Sequence, residues 1–394
     1  MITTALLGDI TSINPRAQSV AFDEPVSFVG MAELDAKTAI ARPLETRLFG
    51  VVSKGYTVFR NRDVLVAKIT PCWENGKVGQ AQLEHRIGVG STEFHVVRPG
   101  PLVDERYVLH FLRQQSIRAA GTLRMTGSGG QRRVPVAFLQ NLSIPLPALD
   151  EQRRIAAILD RAAALLAKRR PVLAHLGTLV QSIFHDMFGE VGGSRWTKVA
   201  LGDIVGEIDN GRSPNCEARP AEPNEWGVLK LGAVTYGIFQ AGENKAYLGK
   251  VGSMASKEVR VGDVLMTRKN TRELVGAVAL VENVRPRLLL PDLIFRLQLD
   301  LGRIDPRYFQ ALMMNSGKRP AVRDLSSGSA ASMPNISKAR LMNLSIELPP
   351  LDLQREFAGK VEKVNAQRAA AQRVLATDNE LFASLQYRAF KGEF

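Results

Sequence analysis

The sequence has few residues of the kinds that build disulfide frameworks, metal centres or membrane spans. Its two cysteines, Cys72 and Cys216, have no cysteine or histidine partners nearby, so neither a disulfide network nor a zinc site is indicated. No stretch contains about 18 uninterrupted apolar residues, and Met1–Ile10 lacks a basic segment followed by a long apolar core. We therefore expect a soluble, unexported protein of the cytoplasm, with no metal and no membrane partner.

Motifs of common enzyme chemistry are also missing. The sequence has neither the Gly-x-x-x-x-Gly-Lys-[Ser/Thr] phosphate loop nor the Asn-Pro-Pro-Tyr, Asp-Pro-Pro-Tyr and Phe-x-Gly-x-Gly motifs of amino-methyltransferases. Glu243-Asn244-Lys245 has the carboxylate-x-lysine spacing of many nucleases but lacks a clear Pro-Asp partner shortly before it. The five histidines are not spaced as metal ligands, and His175 and His185 are expected on exposed helix faces. These absences predict a non-enzymatic chain with no catalytic residues and no cofactor.

Positive charge is what the sequence has in excess. Lysine and arginine number 52 against 39 aspartates and glutamates, giving a formal charge of +13. This excess favours a polyanionic partner such as nucleic acid or an anionic membrane, the plainer alternative being a solvated basic surface. With 394 residues, 45% of them apolar, the chain is long enough for two domains with real cores and connecting structure.

The second half of the chain repeats the first at a shift of about 200 residues. The shift is smaller at the first motif, which indicates that the Pro-rich segment 211–227 is a longer loop than its counterpart. Four motifs recur in the same order: Leu7-Gly8-Asp9-Ile10 as Leu201-Gly202-Asp203-Ile204, Asp63-Val64-Leu65 as Asp263-Val264-Leu265, Arg106-Tyr107 as Arg307-Tyr308, and Asn141-Leu142-Ser143-Ile144 as Asn343-Leu344-Ser345-Ile346.

Both halves have the same internal plan. Short β-branched or alternating runs, separated by Gly, Asn and Pro turn signals, predict strands, and a short amphipathic helix follows them. Each half is therefore predicted to be a mixed α/β domain of roughly 145 residues. The predicted strands are 26–29, 64–67 and 93–97 in the first half and 227–231, 264–267 and 293–299 in the second, and the helices are 106–115 and 307–315.

After Pro147 and Pro349 the composition changes to strong helix formers, with Asp150 and Asp352 placed as N-caps. Apolar residues then alternate spacings of four and three, which predicts a heptad seam on each of two long helices. The first, to Phe188, would be about 58 Å long. The seams are Ile155, Leu159, Ala162, Leu166, Arg169, Leu173, Leu176, Val180, Ile183 and Met187, and in register with them Phe357, Val361, Val364, Arg368, Ala371, Leu375, Asp378, Phe382, Leu385 and Ala389.

A proline inside the first helix and an alternative packing of both helices have to be considered. Pro171 lies inside the first helix and is expected to kink it or split it in two, because proline removes a hydrogen bond and clashes with the preceding turn. The alternative to a helical pair is two ordinary core helices, each packed on its own domain. Their matching length and seam argue against this alternative.

Two similar motifs stand where the long helices begin. They are Ile144-Pro145-Leu146-Pro147 with Leu149-Asp150-Glu151-Gln152-Arg153-Arg154-Ile155, and Leu348-Pro349-Pro350-Leu351-Asp352-Leu353-Gln354-Arg355. These motifs resemble those of specificity (S) subunits of type I restriction-modification systems, and the resemblance extends over nearly the whole chain. One departure from the family pattern is Leu353, where a glutamate is expected, and this weakens one predicted capping interaction.

The resemblance implies a fold of two homologous target recognition domains separated by two long antiparallel helices that form a coiled-coil-like spacer. Each recognition domain would read one half of a split site in double-stranded DNA. Two modification (methyltransferase) subunits would dock on the helices, and a translocating restriction subunit could join them. The implied divisions are residues 1–147 and 190–349 for the recognition domains, and 148–189 and 350–394 for the helices.

Candidate DNA-contacting residues lie in two kinds of loop that recur at equivalent places. One loop follows the Asp-Val-Leu strand and the other is rich in glycine, so it can bring backbone N–H groups close to phosphate. Their side chains suit base edges and phosphates alike, and a polar hairpin tip or a flexible turn is the alternative for each. The candidates are Lys68, Thr70, Trp73, Asn75, Lys77, Ser128, Gln131, Arg132 and Arg133 in the first half, and Arg268, Lys269, Asn270, Thr271, Arg272, Ser327, Ser329 and Asn335 in the second.

Three functions fit these observations. The first is a specificity subunit of a type I methyltransferase and endonuclease. The second is the specificity chain of a methyltransferase-only or related phage-defence system, which would have the same sequence features. The third is a nucleic-acid-binding scaffold, which would not require duplex DNA of one sequence.

Overall fold

The computed structural model describes residues 3–16, 19–128, 130–327 and 333–393. The chain forms two units, one of Met1–Leu173 with Ala371–Phe394 and one of Ala174–Ala370. Each unit therefore combines one copy of the repeat with one end of each long helix. The four-part domain division drawn from the sequence remains a prediction.

The first unit contains a six-stranded sheet, a four-stranded sheet and a strand pair. Val64–Ala67, predicted as a strand, is buried at all four positions and lies antiparallel to Phe94–Pro99 in the larger sheet. The strands are β1 (Thr4–Leu6), β2 (Thr11–Ile13), β3 (Pro25–Val29), β4 (Leu34–Asp35), β5 (Ile40–Ala41), β6 (Glu45–Leu48), β7 (Thr57–Arg60), β8 (Val64–Ala67), β9 (Val78–Ala81), β10 (Ile87–Gly90), β11 (Phe94–Pro99) and β12 (Ser143–Pro145), and the short helices are α1 (Leu7–Ile10), α2 (Phe49–Val52), α3 (Glu105–Leu112), α4 (Gln115–Leu123) and α5 (Val136–Gln140).

The second unit repeats the order of the central strands, since Val264–Thr267 lies between Val278–Leu280 and Ile294–Leu299 as β8 lies between β9 and β11. The predicted strand 227–231 ends early because a turn of 3-10 helix begins at Leu231. The strands are β13 (Lys198–Ala200), β14 (Val205–Asn210), β15 (Trp226–Leu229), β16 (Asn244–Tyr247), β17 (Val264–Thr267), β18 (Val278–Leu280), β19 (Leu288–Leu289), β20 (Ile294–Leu299), β21 (Ser326–Ser327), β22 (Asn335–Ile336) and β23 (Ser345–Glu347), and the short helices are α7 (Pro306–Met314), α8 (Arg319–Asp324) and α9 (Lys338–Met342).

The two predicted long helices are present as α6 (Leu149–Phe188) and α10 (Leu351–Ala389), of 40 and 39 residues. Every residue of the two predicted seams other than Arg169 is buried or partly buried. The alternation of four and three residues therefore identified the faces that α6 and α10 turn away from solvent.

The direction of the helices is evident within the first unit. Arg169 of α6 forms an ion pair with Asp378 of α10. Leu159, earlier in α6, shares a hydrophobic core with Ala389, later in α10. Residue numbers rise along one helix as they fall along the other, so the two helices are antiparallel here.

Pro171 does not divide the first long helix, because α6 continues through it. The carbonyl of Ala167, four residues earlier, is the one that loses its N–H donor. Ala167 and Pro171 both lie on an exposed part of the helix, where water can bond that carbonyl. The alternative of two separate helices is therefore wrong.

A buried glutamine fastens each long helix to its own copy of the repeat. Gln152 Oε1 accepts a hydrogen bond from the backbone N–H of Asp104, and Gln354 Oε1 accepts one from Asp305, both at 2.9 Å. Each amide group also donates to the carbonyl five residues before it, at 2.8 Å. Asp104 and Asp305 in turn cap α3 and α7, so each glutamine links the long helix to a capped helix start.

The predicted N-caps at Asp150 and Asp352 are wrong, because α6 and α10 begin one residue earlier and place both residues in the first turn. Their exposed carboxylates lie near an arginine three residues later. Acidic groups there still favour the helix macrodipole. Leu353, which replaces the glutamate of the family pattern, packs against the core of the second unit.

Candidate nucleic-acid interface

The two predicted loops of the first unit lie side by side. The backbone N–H of Val134 donates to the carbonyl of Lys68 at 2.8 Å, and the N–H of Thr70 donates to the carbonyl of Arg132 at 2.9 Å. The Thr70 hydroxyl also accepts a hydrogen bond from the N–H of Arg132 at 3.1 Å. The loop after β8 and the Gly-rich loop therefore form one surface, which we call the first loop pair.

The second unit has the equivalent arrangement, which we call the second loop pair. The N–H of Ile336 donates to the carbonyl of Arg268 at 3.0 Å, as Val134 does to Lys68 in the first unit. Lys269 and Asn335 form an isolated β-bridge, and Arg268 Nε donates to the Asn335 side-chain oxygen at 3.0 Å. The same backbone bond thus joins the two loops in both copies of the repeat.

Most of the predicted contact residues reach solvent at these loop pairs. Ser329 lies outside the described residues. Asn75, Ser128, Gln131, Arg132, Thr271, Arg272 and Ser327 are exposed, and Lys68, Thr70, Lys77, Arg133, Arg268, Lys269 and Asn335 are partly exposed.

Trp73 does not lie on the surface as predicted. Only 3% of it is exposed, its ring packs edge-on against Phe138, and its indole N–H donates to the carbonyl of Arg118 at 3.0 Å. Gly121 leaves the space that the ring fills, since a Cβ there would come within 2.1 Å of it. Trp73 is therefore a core residue that anchors the loop from beneath.

Asn270 is also buried, with 6% exposed, and does not lie on the surface as predicted. Its side-chain amide donates to the hydroxyl of Thr235 at 3.1 Å, and its side-chain oxygen accepts the N–H of Thr271 at 2.9 Å. An amide with both ends engaged inside the protein cannot read a base. It shapes the loop that carries Thr271 and Arg272.

Charge is distributed differently over the two loop pairs. In the first, Arg133 donates hydrogen bonds to both oxygens of the Glu93 carboxylate, the shortest at 2.8 and 3.0 Å. These bonds lower the pKa of Glu93 and raise the pKa of Arg133. In the second, Arg268 bonds the uncharged amide of Asn335, so that pair leaves its positive charge uncompensated. Arg268 is therefore better placed than Arg133 to attract an anionic ligand.

Sequence reasoning missed two arginines that lie beneath the loops. Arg319 is buried, and its guanidinium donates to the carbonyls of Gly276 and Val275 at 2.8 and 2.6 Å, just after the exposed part of the second loop pair. Arg118 of the first unit borders the corresponding turn near Gly76. The two arginines occupy matching positions in the repeat, and an alignment of the halves could have found them.

Metal clusters, the nuclease-like spacing and membrane spans were the other features that the sequence raised. Among the described residues, no group of three or more histidines, cysteines, aspartates and glutamates is arranged to hold a metal ion. Glu243, part of the nuclease-like spacing, pairs with Lys230 at 2.9 Å. In the same described ranges no helix is long and apolar enough to cross a membrane.

Comparisons with known proteins agree with this architecture. The profile of the type I restriction modification DNA specificity domain matches residues 27–172. The EcoEI specificity subunit of Escherichia coli is 29% identical over 90% of this chain and 76% of its own length. The EcoAI specificity subunit of the same species is 40% identical over 37% of this chain and 25% of its own.

Two solved structures share the fold over almost the whole chain. One belongs to a study of complex assembly and conformational transition of the type I R-M system, and has a TM-score of 0.59, 18% identity and coverage of 100% and 98% of the two chains. The other is the S subunit of a type I system from M. genitalium, with a TM-score of 0.59, 13% identity and coverage of 98% and 96%.

The repeated fold and the relatives indicate a class of protein, the specificity subunits of type I restriction enzymes. The chain is similar to these subunits over most of its length, as the residues at its helix junctions indicated, and the matching profile covers residues 27–172.

Proposed function

We propose that this chain is a specificity subunit and selects DNA for its complex by reading a bipartite sequence, one half with each unit. The repeated loop pair is the observation that carries the proposal. Equivalent backbone bonds at Lys68 and Arg268 hold the loops in the same way, while the residues at the loop tips differ. A common scaffold with different tips suits two half-sites of different sequence.

The exposed side chains supply the chemistry that such reading requires. In the second loop pair, Arg268 and Arg272 can donate to guanine or to phosphate, and Thr271 can bond either. In the first, Asn75 and Gln131 suit adenine, and Arg132 forms an exposed pair with Glu74 at 3.3 Å. Exposed ion pairs contribute little, so phosphate can replace Glu74 at low cost.

We further propose that modification subunits, two in number, dock on the long helices, and that a restriction subunit can join the complex in the cytoplasm. In the first unit, Leu165 and Val172 of α6 and Val374 and Leu381 of α10 are exposed. Each stands one residue before a seam residue. In an antiparallel helix pair, a two-fold axis relates the two helices and brings the residues that precede corresponding seam residues to the same side. All four residues therefore lie along one side of the seam.

This apolar strip supports docking because four large apolar side chains in a row remain in water in the isolated chain. Burying them against a partner would release that water and favour association. We name Leu165, Val172, Val374 and Leu381 the helix strip.

Reconstitution tests the proposed function. The highly purified chain alone is expected neither to methylate nor to cleave DNA, and the chain with modification subunits is expected to methylate one bipartite sequence. Methyl transfer by the chain alone would refute its non-catalytic role. Equal methylation of all sequences by the complex would refute specific reading.

A further inference from the structure

A third loop lies beside the loop pair in each unit. It follows β3 in the first unit and β15 in the second. Both strands pair in parallel, β3 with β10 and β15 with β19, and the registers make Ser27 equivalent to Gly227. Segment 35–38, which begins at the last residue of β4, therefore corresponds to segment 235–238, and we call these two segments the third loops.

In the second unit the third loop is anchored on both sides of an exposed tyrosine. Thr235 and Asn270 are both buried, and their side chains share the 3.1 Å hydrogen bond that ties this loop to the second loop pair. The carbonyl of Gly237 accepts a hydrogen bond from the side chain of Gln310. Tyr236, between these anchors, is 68% exposed. The backbone is held while the ring projects into solvent next to the loop that carries Arg272.

In the first unit a cavity separates the third loop from the first loop pair. The cavity is about 100 Å³ in volume, and Ala36 lines it together with Asn75 and Gly76. Arg113 holds the third loop in place by donating to the carbonyl of Ala36 at 2.9 Å. Lys37, the next residue, is exposed. The equivalent loops thus place a lysine next to one loop pair and an aromatic ring next to the other.

We propose that the third loops complete the DNA interface, with Tyr236 packing against a base of the second half-site and Lys37 binding a phosphate at the first. This inference rests on the proposed function. In duplex DNA the bases present their edges, and an aromatic ring can pack against the C5-methyl group of a thymine in the major groove, whereas an ammonium group binds phosphate as a point charge. Tyr236 therefore contributes to reading, and Lys37 contributes to affinity.

The test uses the full chain in complex with its modification subunits and a duplex that carries the methylated sequence. Tyr236→Ala is expected to weaken binding roughly tenfold, the scale of one lost base-edge contact, and to relax only the second half-site. Tyr236→Phe keeps the ring and is expected to remain close to the parent. Leu248→Ala is the matched control, because Leu248 is 61% exposed in the same unit.

The phosphate contact has its own variant. Lys37→Ala is expected to weaken binding by a similar factor on all sequences and to reduce the slope of log affinity against log salt by about one. Lys54→Ala, at an exposed lysine before β7, is expected to leave the slope unchanged. An unchanged slope in Lys37→Ala would overturn the assignment of Lys37.

Two different results would show that the role of Tyr236 is wrong or that the proposed function is wrong. If Arg268→Ala relaxes the second half-site while Tyr236→Ala matches the parent in affinity and sequence preference, the role of Tyr236 is wrong and specific reading stands. If the parent complex shows no preferred sequence, the proposed function itself fails. Photo-cross-linking with 5-iododeoxyuridine in the second half-site checks the parent directly. Attachment at Tyr236 supports the contact, and attachment only at other residues overturns it.

Discussion

Arg268 is the residue whose surroundings bear most directly on sequence reading. Its guanidinium lies 5.5 Å from the centroid of the Phe295 ring, and Nε is held by Asn335. The ring and the amide fix the side chain, so little rotamer entropy remains to be lost when its terminal nitrogens bind. Such an arginine is suited to a bidentate contact with guanine.

We expect Arg268→Ala to relax the second half-site and to leave the first unchanged, because we propose that each unit reads its own half-site. A good bidentate contact contributes about 1–3 kcal/mol of discrimination, so up to a hundredfold of sequence preference would be lost at that position. Methylation-site mapping with the variant complex measures this. Arg132→Ala is the converse variant, expected to affect only the first half-site. An altered base preference in the distal half-site of either variant would contradict separate reading.

His110 gives the first unit a dependence on pH. Its Nε2 lies 2.7 Å from the Asp160 carboxylate of α6, which also accepts a hydrogen bond of 3.1 Å from Arg106. Burial lowers the pKa of His110, although Asp160 opposes the shift. Burial alone would raise the pKa of Asp160, but the bonds from His110 and Arg106 bring it to about 2.

Because the pKa of His110 is lower in the folded chain than in the unfolded one, the unfolded state takes up the proton first as pH falls below about 6.5. The parent should therefore lose stability more steeply between pH 7 and pH 5 than His110→Asn, which has no such proton to bind. Denaturant unfolding at several pH values measures the two slopes. Equal slopes would show that His110 titrates normally.

At the scale of single elements, α6 contains two residues that weaken it. Pro171 and Gly177 both lie in its interior and are exposed. Relative to alanine, proline costs a helix interior about 3 kcal/mol and glycine about 1 kcal/mol. A Cβ at Gly177 would meet no atom within 4 Å.

Pro171→Ala should therefore raise the free energy of unfolding by about 1–3 kcal/mol, because the new N–H can bond the carbonyl of Ala167. Gly177→Ala is the control, expected to add up to about 1 kcal/mol. Thermal or denaturant unfolding of both variants is the measurement. Destabilisation by Pro171→Ala alongside stabilisation by Gly177→Ala would mean that the parent helix requires the proline.

The helix strip is predicted to be the docking surface for modification subunits. Leu165→Lys with Leu381→Lys should abolish co-purification of modification subunits, because burying two unpaired ammonium groups at an apolar interface is costly. Both side chains are already exposed, so the melting temperature should stay near that of the parent. Leu123→Lys, at an 87% exposed residue of α4, is the matched control. Normal co-purification of the double variant would refute docking at the strip.

Patterns of apolar residues and turn residues correctly predicted those strands whose formation depends on residues close together in the sequence. The bounds of Val64–Ala67 and Val264–Thr267 were predicted residue for residue, because both are apolar runs enclosed by turn signals. Strands such as Glu45–Leu48, at the edge of its sheet, show little alternation and depend on distant pairing. The parallel pairing of Ser27 with Gly88 could not be predicted for the same reason.

The candidate site was predicted in outline for a different reason. The repeat identified the positions of the loops, since two copies of one scaffold place them alike. The burial of Trp73 and Asn270 was missed because it depends on partners far along the chain, Phe138 and Thr235 among them. The residue type of a polar or aromatic loop residue does not reveal whether its side chain faces solvent or is buried and anchors the loop.

For the whole molecule, we propose that the loops determine which half-site sequences are read and that the long helices determine the spacing between them. The seams of α6 and α10 share one register, and seven residues restore it. Inserting one heptad into both helices therefore keeps each seam facing its partner and lengthens the helices by about 10.5 Å. Base pairs are about 3.4 Å apart, so this length corresponds to roughly three base pairs. Groove orientation also changes, so weaker binding is expected.

Methylation-site mapping of the parent complex and the heptad-extended complex tests this division of roles most directly. The parent is expected to methylate one bipartite sequence, and the extended complex to methylate the same two half-sites across a gap about three base pairs longer. An active extended complex with the parental gap, or with different half-site bases, would contradict the account.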